Sequence, residues 1–364
     1  MGTLRTILVV SVVFSHSPAG FVFVGGRNAV QLSFLISGFL ISFVLVEKKS
    51  YGSSLDFYIS RILRLYPIYF VVAVLTLAAH FLTGNSDFFA LYRSIPPAAD
   101  ILLVVSNIFL FGQDWVMFSG VQHSALALTW DYAKSDYPLW AGLLLPQAWS
   151  LGPELSFYLI APFLLLRRNM IVCVLLLSLA LRAALIWVGV GTKDPFIQRF
   201  FPTELTFFML GALSHQLLLP LYRGWFGRNL DVVARRGTLF LIALSLIYFA
   251  LPLKEIQRAP LLLLSFVLLL PLAFVFQGRR ILDQRIGELS YPIYIGHVLV
   301  LNLLSLLYGV LAIREGTLTS LAGVVASILF AALLNAVITR NTESFRRRFK
   351  RSRPPPPGIV ATAA

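Results

Sequence analysis

Residues 4–23 of the chain read LRTILVVSVVFSHSPAGFVF, an apolar stretch that contains Arg5 and His16. About 20 apolar residues are enough to cross a bilayer as a helix, so this stretch predicts a membrane span. Eleven positions cover close to three helical turns, which places Arg5 and His16 on one face about 16 Å apart. Ionisable side chains inside a membrane normally face a cavity or a partner, so the pair predicts a polar path. The alternative is that Arg5 is a cytoplasmic anchor and His16 a satisfied polar residue.

The composition indicates an integral membrane protein. Hydrophobic residues make up 58% of the 364 residues and charged residues 13%, whereas ordinary globular domains have about 45–50% and about 25%. The net charge is +14, but the basic residues lie in short runs between apolar stretches. That distribution is typical of positive-inside topology, so the predicted partner is the lipid bilayer and not nucleic acid. Cys173 is the only cysteine, so neither a disulfide framework nor a cysteine-ligated metal is available, and no metal site is predicted.

The apolar stretches predict an all-α fold, a polytopic transmembrane helical bundle with about ten spans. In residues 84–147 the short apolar runs 101–112 and 139–146 are predicted to be re-entrant or interfacial. The membrane domain is predicted to cover residues 1–345, and residues 346–364 to form a basic, then Pro-rich, disordered cytoplasmic tail. The predicted spans are 4–23, 28–47, 66–83, 148–166, 170–190, 202–221, 237–253, 259–277, 289–312 and 318–339.

Clusters of basic residues orient these spans. All of them fall on one side when both termini are placed in the cytoplasm, as the positive-inside bias requires. The clusters are Lys48–Lys49, Arg61–Arg64, Arg167–Arg168, Arg223–Arg236, Arg279–Arg285 and Arg346–Arg353.

Two arginines precede the third predicted span, in the motif Arg61-Ile-Leu-Arg64-Leu-Tyr-Pro67. Because they are three residues apart, they share a helix face and can present two planar guanidinium groups to one anion. Pro67 is placed to bend the chain where it enters the membrane. Arginines beside spans also serve as simple anchors, so the alternative to an anion site is an anchor.

The fourth predicted span carries a polar stripe. In the motif Trp149-Ser-Leu-Gly-Pro-Glu-Leu-Ser-Phe-Tyr158, the residues Ser150, Glu154 and Tyr158 recur every four positions on an otherwise apolar helix. A carboxylate near the membrane needs a partner or water, so Glu154 is a functional candidate. The alternative for Glu154 is a structural ion pair with an arginine.

The ninth predicted span places polar side chains on one face. Tyr291, Tyr294 and His297 are three positions apart. Tyrosines near a helix start are typical of an interfacial belt, whereas His297 lies deeper and is a candidate for the cavity. Glu204, in FPTELTFFMLGAL, is a lesser candidate for lining the same cavity. The other histidines have no comparable polar neighbours and are interpreted as structural: His80, His123 and His215.

These motifs together resemble the signature of the bacterial membrane-bound acyltransferase-three family. Each motif alone is weak evidence for the family, but five of them occur in the family's order over almost the whole chain. The match departs from the common pattern at Pro153, where a less rigid residue usually precedes the glutamate, although proline is tolerated in a first helical turn. The matching elements are Arg5 with His16, Gly26–Val30 with Phe34–Gly38, Arg61–Pro67, Trp149–Tyr158 and Ser290–His297.

The resemblance implies an integral membrane O-acyltransferase of the bacterial inner membrane. Its relatives move an acyl group, commonly acetyl from acetyl-CoA, to a carbohydrate hydroxyl of a surface or exported glycan such as polysaccharide, lipopolysaccharide or exopolysaccharide. A carbohydrate or glycolipid acceptor is therefore the expected partner, and polysaccharide-assembly proteins are further candidates.

The resemblance also implies roles for individual residues. His16 is expected to be the catalytic base, with Glu154 or a tyrosine orienting its imidazole or stabilising the charged form. Arg5, Arg61 and Arg64 are expected to bind cytoplasmic acyl-CoA. The substrate cavity is expected to be lined by Ser37, Ser150, Tyr158, Tyr291, Tyr294 and His297.

Two other classes of protein share some of these features. A secondary transporter, or an exporter of a glycan or lipid precursor without acyl-transfer chemistry, also has many spans and intramembrane ionisable residues. Transporters more often show inverted halves and broken midplane helices, which are not apparent in this sequence. If the chain were a scaffold protein, no cavity joining His16 to Arg61 would be expected. A titratable base one acyl-chain length from a cytoplasmic arginine pair favours the enzyme.

Overall fold

A computed structural model of the chain describes residues 1–19, 22–84, 86–278 and 280–349. Those residues form a helical bundle, so the predicted fold class is confirmed. The helices are α1 (Gly2–Ser15), α2 (Gly26–Ser42), α3 (Ser54–Leu82), α4 (Ser86–Ser94), α5 (Pro97–Phe109), α6 (Leu151–Leu164), α7 (Arg168–Trp187), α8 (Phe201–Leu213), α9 (Leu219–Phe226), α10 (Leu230–Ile247), α11 (Glu255–Gln277), α12 (Ile281–Val310), α13 (Thr317–Leu334) and α14 (Arg340–Arg346). Five-residue π-helical turns extend α2, α8 and α13 at Phe43–Glu47, Ser214–Leu218 and Asn335–Thr339.

One small β-hairpin interrupts the helices, between α5 and α6. Strands β1 (Ser119–Gln122) and β2 (Ala125–Leu128) pair in antiparallel register, with Ser119 opposite Leu128. The turn residues His123 and Ser124 both adopt positive φ angles. The hairpin belongs to the connection between α5 and α6, whose remaining parts are turns and short 3₁₀ helices.

Seven helical segments of the described chain are long and apolar enough to cross a membrane, so the chain is a multi-pass membrane protein. They are Gly26–Glu47, Ser54–Leu82, Arg168–Trp187, Phe201–Ala250, Glu255–Gln277, Ile281–Val310 and Thr317–Thr339. The segment Phe201–Ala250 contains two predicted spans, because the chain turns at Gly227, whose φ of 45° ends α9. The seven segments thus cover eight of the ten predicted spans.

The other two predicted spans are short helices. α1 and α6 have 14 residues each, about 21 Å at 1.5 Å per residue, against a hydrocarbon core of about 30 Å. α1 ends at Ser15 and not at Phe23, because Pro18 disfavours helical geometry in the residue before it. α5, which contains most of the run 101–112, has 13 residues, and residues 139–146 hold only short 3₁₀ turns. Neither run is long enough to span, as predicted.

Glycines allow α2 and α8 to pack closely. A Cβ atom added to Gly38 would lie 2.0 Å from the carbonyl oxygen of Phe208, and one added to Gly211 would lie 1.9 Å from that of Leu35. Small residues at a helix crossing let two backbones touch, which is a common way of joining helices inside a membrane. The crossing fixes the position of α2, which carries Ser37 one residue before Gly38.

The predicted basic clusters meet at one end of the bundle. Glu47, beside Lys48–Lys49, accepts hydrogen bonds from Arg223 at 3.1 Å and lies 3.2 Å from the buried ring of His215. His215 therefore joins the ends of α2 and α8, in agreement with a structural role. Arg168 donates to the Gln216 carbonyl at 3.3 Å.

The C-terminal helix reaches the same end. α14 packs against α3, the helix that carries the Arg61 motif. The basic run that was predicted to open a disordered tail is helical from Arg346 to Phe349. The rest of the predicted tail, 350–364, lies outside the described residues.

Candidate active site

A cavity of about 90 Å³ lies between α1, α2, α3, α6 and α12. Most of the residues selected from the sequence line it, although they come from five different helices. Those residues are Arg5, Ser37, Arg61, Arg64, Ser150, Glu154, Tyr158, Tyr291 and Tyr294. Val9 and Val12 also line it, so the face of α1 that borders the cavity leads from Arg5 towards His16.

Three arginines lie around one carboxylate in this cavity. Arg5 interacts electrostatically with Arg64, Glu154 and Arg61. Within the part of the chain that the structure describes, none of the three arginines has a carboxylate oxygen within 4.0 Å. Uncompensated charge in a partly dry site is costly unless a counter-ion is bound. The arrangement is therefore suited to an anionic ligand.

Arg61 is buried and held by aromatic rings. It is 9% exposed, its Nη2 donates to the Tyr51 hydroxyl at 2.8 Å, and its guanidinium lies 5.2 Å from the ring centre of Phe57 and 5.7 Å from that of Tyr158. A simple anchor would extend to water, so this environment argues against the anchor interpretation. The position follows from α3, which begins at Ser54, twelve residues before the predicted span, and continues through Pro67.

Glu154 lies in the first turn of α6 and is hydrogen-bonded on two sides. Its Oε1 accepts from the Ser37 hydroxyl of α2 at 2.9 Å and from the Tyr158 hydroxyl one turn further along α6. Two members of the predicted polar stripe, Glu154 and Tyr158, are therefore hydrogen-bonded to each other. The structure gives no contact between Glu154 and His16, so the assistance expected from Glu154 has no direct geometric basis.

The tyrosines of α12 connect the cavity to other helices. The Tyr291 hydroxyl donates to the Leu65 carbonyl of α3 at 2.7 Å. The Tyr294 hydroxyl lies 2.7 Å from the Ser150 hydroxyl and 2.7 Å from the Gln147 carbonyl, both just before α6. These contacts hold the part of the cavity wall that α12 forms against α3 and against the residues just before α6.

His16 and His297 form a pair beside this wall. Their ring centres are 5.1 Å apart, and the His297 ring is 6.0 Å from that of Tyr294. Neither histidine lines the cavity itself: His16 is exposed at the end of α1, and His297 is buried behind the wall. Nδ1 of His16 lies 2.9 Å from the Val12 carbonyl, and Nδ1 of His297 lies 2.7 Å from the Tyr294 carbonyl.

These contacts determine the tautomer of both rings. A carbonyl oxygen only accepts hydrogen bonds, so each Nδ1 carries the proton and each neutral ring has its lone pair at Nε2. Nε2 of His297 is buried without a partner in the described structure. A neutral histidine with a free Nε2 is equipped to accept a proton from a hydroxyl.

One of the comparisons with known proteins identifies the family. A family model described as an acyltransferase domain, that of the acyltransferase-three family, matches residues 2–336. The chain belongs to this family. It is therefore a membrane acyltransferase, and a transporter without acyl-transfer chemistry is not favoured. No curated protein and no solved structure matches the chain.

Glu204 of the acyltransferase is not in the cavity, contrary to the prediction. It is fully buried, and its Oε1 accepts from Arg182 Nη2 at 2.7 Å and from Gln31 Nε2 at 3.3 Å. Arg182 lies on α7, so this ion pair joins α7, α8 and α2. The sequence pattern did not reveal the pair, because Arg182 and Glu204 lie on different helices.

Two charged residues near the start of α6 were not recognised from the sequence. Arg199 stacks on Trp149, with its guanidinium 4.4 Å from the ring centre, and pairs with Asp194 at 2.7 Å. Asp114 is 2% exposed, and its Oδ1 has no partner in the described structure. It lies against Gly152, where an added Cβ would be 2.2 Å from Oδ1. No local signal marks Asp114 or Arg199, since both stand in loops.

The stability of the acyltransferase is expected to depend on the protonation of Asp114. Burial raises the pKa of its carboxyl from 3.8 to about 7. The unfolded chain therefore binds fewer protons at this site between these two values, so stability falls as pH rises from about 4 to about 7 and then levels off. Asp114→Asn should raise the melting temperature by a few degrees more at pH 8 than at pH 5, measured by thermal unfolding in detergent. An equal change at both pH values would contradict the assignment. Asp136→Asn, in the same connection, is the control and should have no effect at either pH.

Proposed function

We propose that this acyltransferase moves an acyl group from acyl-CoA to a hydroxyl of a surface or exported carbohydrate. The expected acyl group is acetyl, which members of the family commonly transfer. The observation that carries the proposal is the cavity in which Arg5, Arg61 and Arg64 have no carboxylate within salt-bridge distance among the described residues, and which leads along α1 towards His16. Glu154 gives the cavity one negative charge, so the three arginines leave it a surplus of positive charge. The polyanionic donor supplies the missing negative charge.

The length of the donor fits the distance along α1. Arginine recognises a phosphate group well because its planar guanidinium can donate two parallel hydrogen bonds to the phosphate oxygens. A thin pantetheine arm then extends past Val9 and Val12, which line the cavity, to the level of His16 about 16 Å away. The thioester carbonyl reaches the base while the nucleotide remains at the arginine end.

The reaction proceeds by general base catalysis. Nε2 of His16 accepts the proton of the sugar hydroxyl, whose oxygen attacks the thioester carbonyl carbon. The carbon–sulfur bond then breaks, and the departing CoA sulfur takes the proton back from the imidazolium. A positioned base of this kind contributes typically about 10²–10⁴-fold, and holding both substrates together contributes the rest of the acceleration.

The function is tested in the host and then with the purified protein. Deletion of the gene should remove one acyl increment from a surface glycan or glycolipid, detected by mass spectrometry, and complementation should restore it. Complementation with the His16→Ala variant should not restore the acyl increment. If the deletion strain has unchanged glycans and glycolipids while an exported compound accumulates in the cytoplasm, the transporter alternative replaces this proposal.

Sidedness is a separate prediction, because acyl-CoA is present only in the cytoplasm. The end of the bundle with Lys48–Lys49 and α14 should face the cytoplasm, and the β-hairpin should face outside. The test is labelling of intact cells with an impermeant thiol reagent, after Cys173, which is exposed, has been replaced. Ser124→Cys in the hairpin should react, and Ser344→Cys on α14 should react only after lysis. The reverse pattern would place the three arginines on the side without acyl-CoA.

A further inference from the structure

We propose that the nucleotide of the donor binds outside the cavity, on a basic collar formed by Lys48 and Lys49 after α2 and by Arg346, Arg347 and Arg348 at the end of α14. This inference rests on the proposed function, since it names where the 3′-phosphoadenosine part of CoA is held. The collar would thus recognise the 3′-phosphate, while Arg5, Arg61 and Arg64 bind the diphosphate and the start of the pantetheine arm.

The size of the cavity requires a second binding region. Its volume of about 90 Å³ is close to that of three water molecules at about 30 Å³ each. An adenine nucleotide with its phosphates is many times larger. The cavity therefore has no room for the nucleotide.

A larger hollow is lined in part by Tyr51, whose hydroxyl accepts a hydrogen bond from the cavity residue Arg61. It has a volume of about 340 Å³ and is lined by Leu45, Lys49, Ser50, Tyr51, Gly52, Ser53, Ser54, Pro162 and Leu166. Small-molecule sites typically have about 300–1,000 Å³. The Oγ of Ser50 is buried without a partner in the described structure, so the hollow offers an unused hydrogen-bonding group. Tyr51 separates it from the cavity, because its hydroxyl accepts the hydrogen bond from Arg61.

The second side of the collar comes from α14. This helix packs against α3, and Arg346 interacts electrostatically with Arg64, Arg61 and Tyr51. Burial and the two neighbouring arginines lower the pKa of Arg346. Glu343 pairs with Arg346 and Arg347, so one carboxylate is shared by two guanidinium groups.

Positive charge at this end of a membrane protein is expected from topology alone, but its convergence here is not. Arginines that only orient spans would spread into water, where repulsion is screened. Here Arg346 interacts electrostatically with Arg61 and Arg64, and its ion pair with Glu343 leaves the three arginines with a surplus of positive charge. Lys49 lines the hollow and Lys48 precedes it in the chain; both are exposed, and no carboxylate lies within 4.0 Å of either in the described chain. The collar is therefore complementary to a polyanionic nucleotide.

The test compares two donors that differ only in the 3′-phosphate. Acetyl-CoA and acetyl-3′-dephospho-CoA are titrated against the purified full chain, and their dissociation constants are measured by calorimetry. This readout needs no acceptor. The wild-type protein should bind acetyl-CoA at least about tenfold more tightly, since charge-assisted hydrogen bonds to phosphate are strong. In Lys48→Ala/Lys49→Ala and in Arg347→Ala/Arg348→Ala this preference should fall towards one, with little change for the dephospho donor.

A matched control removes the same charge elsewhere at the same end. Arg235→Ala/Arg236→Ala changes two exposed arginines of α10 and should keep the wild-type preference. If both collar variants also keep it while acetyl-CoA still binds, the collar is overturned and the proposed function stands. If the wild-type protein binds neither donor, the CoA assignment itself fails. If the control variant loses the preference for acetyl-CoA as much as the collar variants do, the preference is a general effect of surface charge and the collar is not a binding site.

Discussion

Replacement of His16 by alanine is expected to lower the turnover of acyl transfer by about 10²–10⁴-fold, the usual contribution of a general base. The physical reason is the free Nε2 of His16, which the hydrogen bond from Nδ1 to the Val12 carbonyl leaves as the proton acceptor. Because the side chain is exposed at the end of α1, its removal leaves no cavity in the core. The yield, melting temperature and donor affinity should stay close to the wild-type values. Turnover is measured with the purified protein in vesicles.

Other histidines provide the controls for this experiment. His123→Asn, in the turn of the β-hairpin, keeps a residue that tolerates a positive φ angle and should be nearly silent. His80→Ala, where the ring stacks on Phe88, should also keep its activity. Substantial turnover by His16→Ala would remove His16 as the base. If His297→Ala were then inactive, the partner ring at 5.1 Å would take that role.

The sequence predicted the fold class and most of the spans because hydropathy is a local property. Residues 28–47, 170–190, 259–277 and 318–339 were predicted as spans and agree with long apolar helices of the structure. The length of α1 was overestimated, since an apolar run was taken as the length of a helix although Pro18 ends it earlier. The turn at Gly227 falls between the predicted spans 202–221 and 237–253.

The site was predictable only as a list of residues. Helical spacing predicted that Glu154 and Tyr158 share a face, and their hydrogen bond agrees with that prediction. The partners on other helices were not predictable, since Ser37 is 117 positions from Glu154. The approach of His16 to His297 depends on how α1 packs against α12, for which a single sequence carries no local signal. Glu204 shows the same limit, because its partner Arg182 is on a neighbouring helix.

Replacement of Arg64 is expected to have the second large effect, on the donor. Arg64 lines the cavity, is half-buried and has no carboxylate within salt-bridge distance in the described chain, so its charge is available to phosphate. Lysine keeps the charge but loses the planar pair of donors. Arg64→Lys should therefore raise the KM for acyl-CoA by at least about tenfold, almost as much as Arg64→Ala, while kcat at saturating donor changes less. Steady-state kinetics at several donor concentrations measure this difference.

The same substitutions at Arg61 separate binding from packing. Arg61 is 9% exposed and lies between the rings of Phe57 and Tyr158, where cation–π contacts are worth about 0.5–2 kcal/mol. Arg61→Lys should raise the donor KM as Arg64→Lys does, and in addition lower the melting temperature, which Arg64→Lys should not. Arg235→Lys, on the exposed face of α10, should change neither quantity. If the donor KM stays at the wild-type value in Arg61→Lys, Arg64→Lys and both alanine variants, the two arginines are anchors. The surplus positive charge of the cavity would then have to be neutralised by an anion other than the donor.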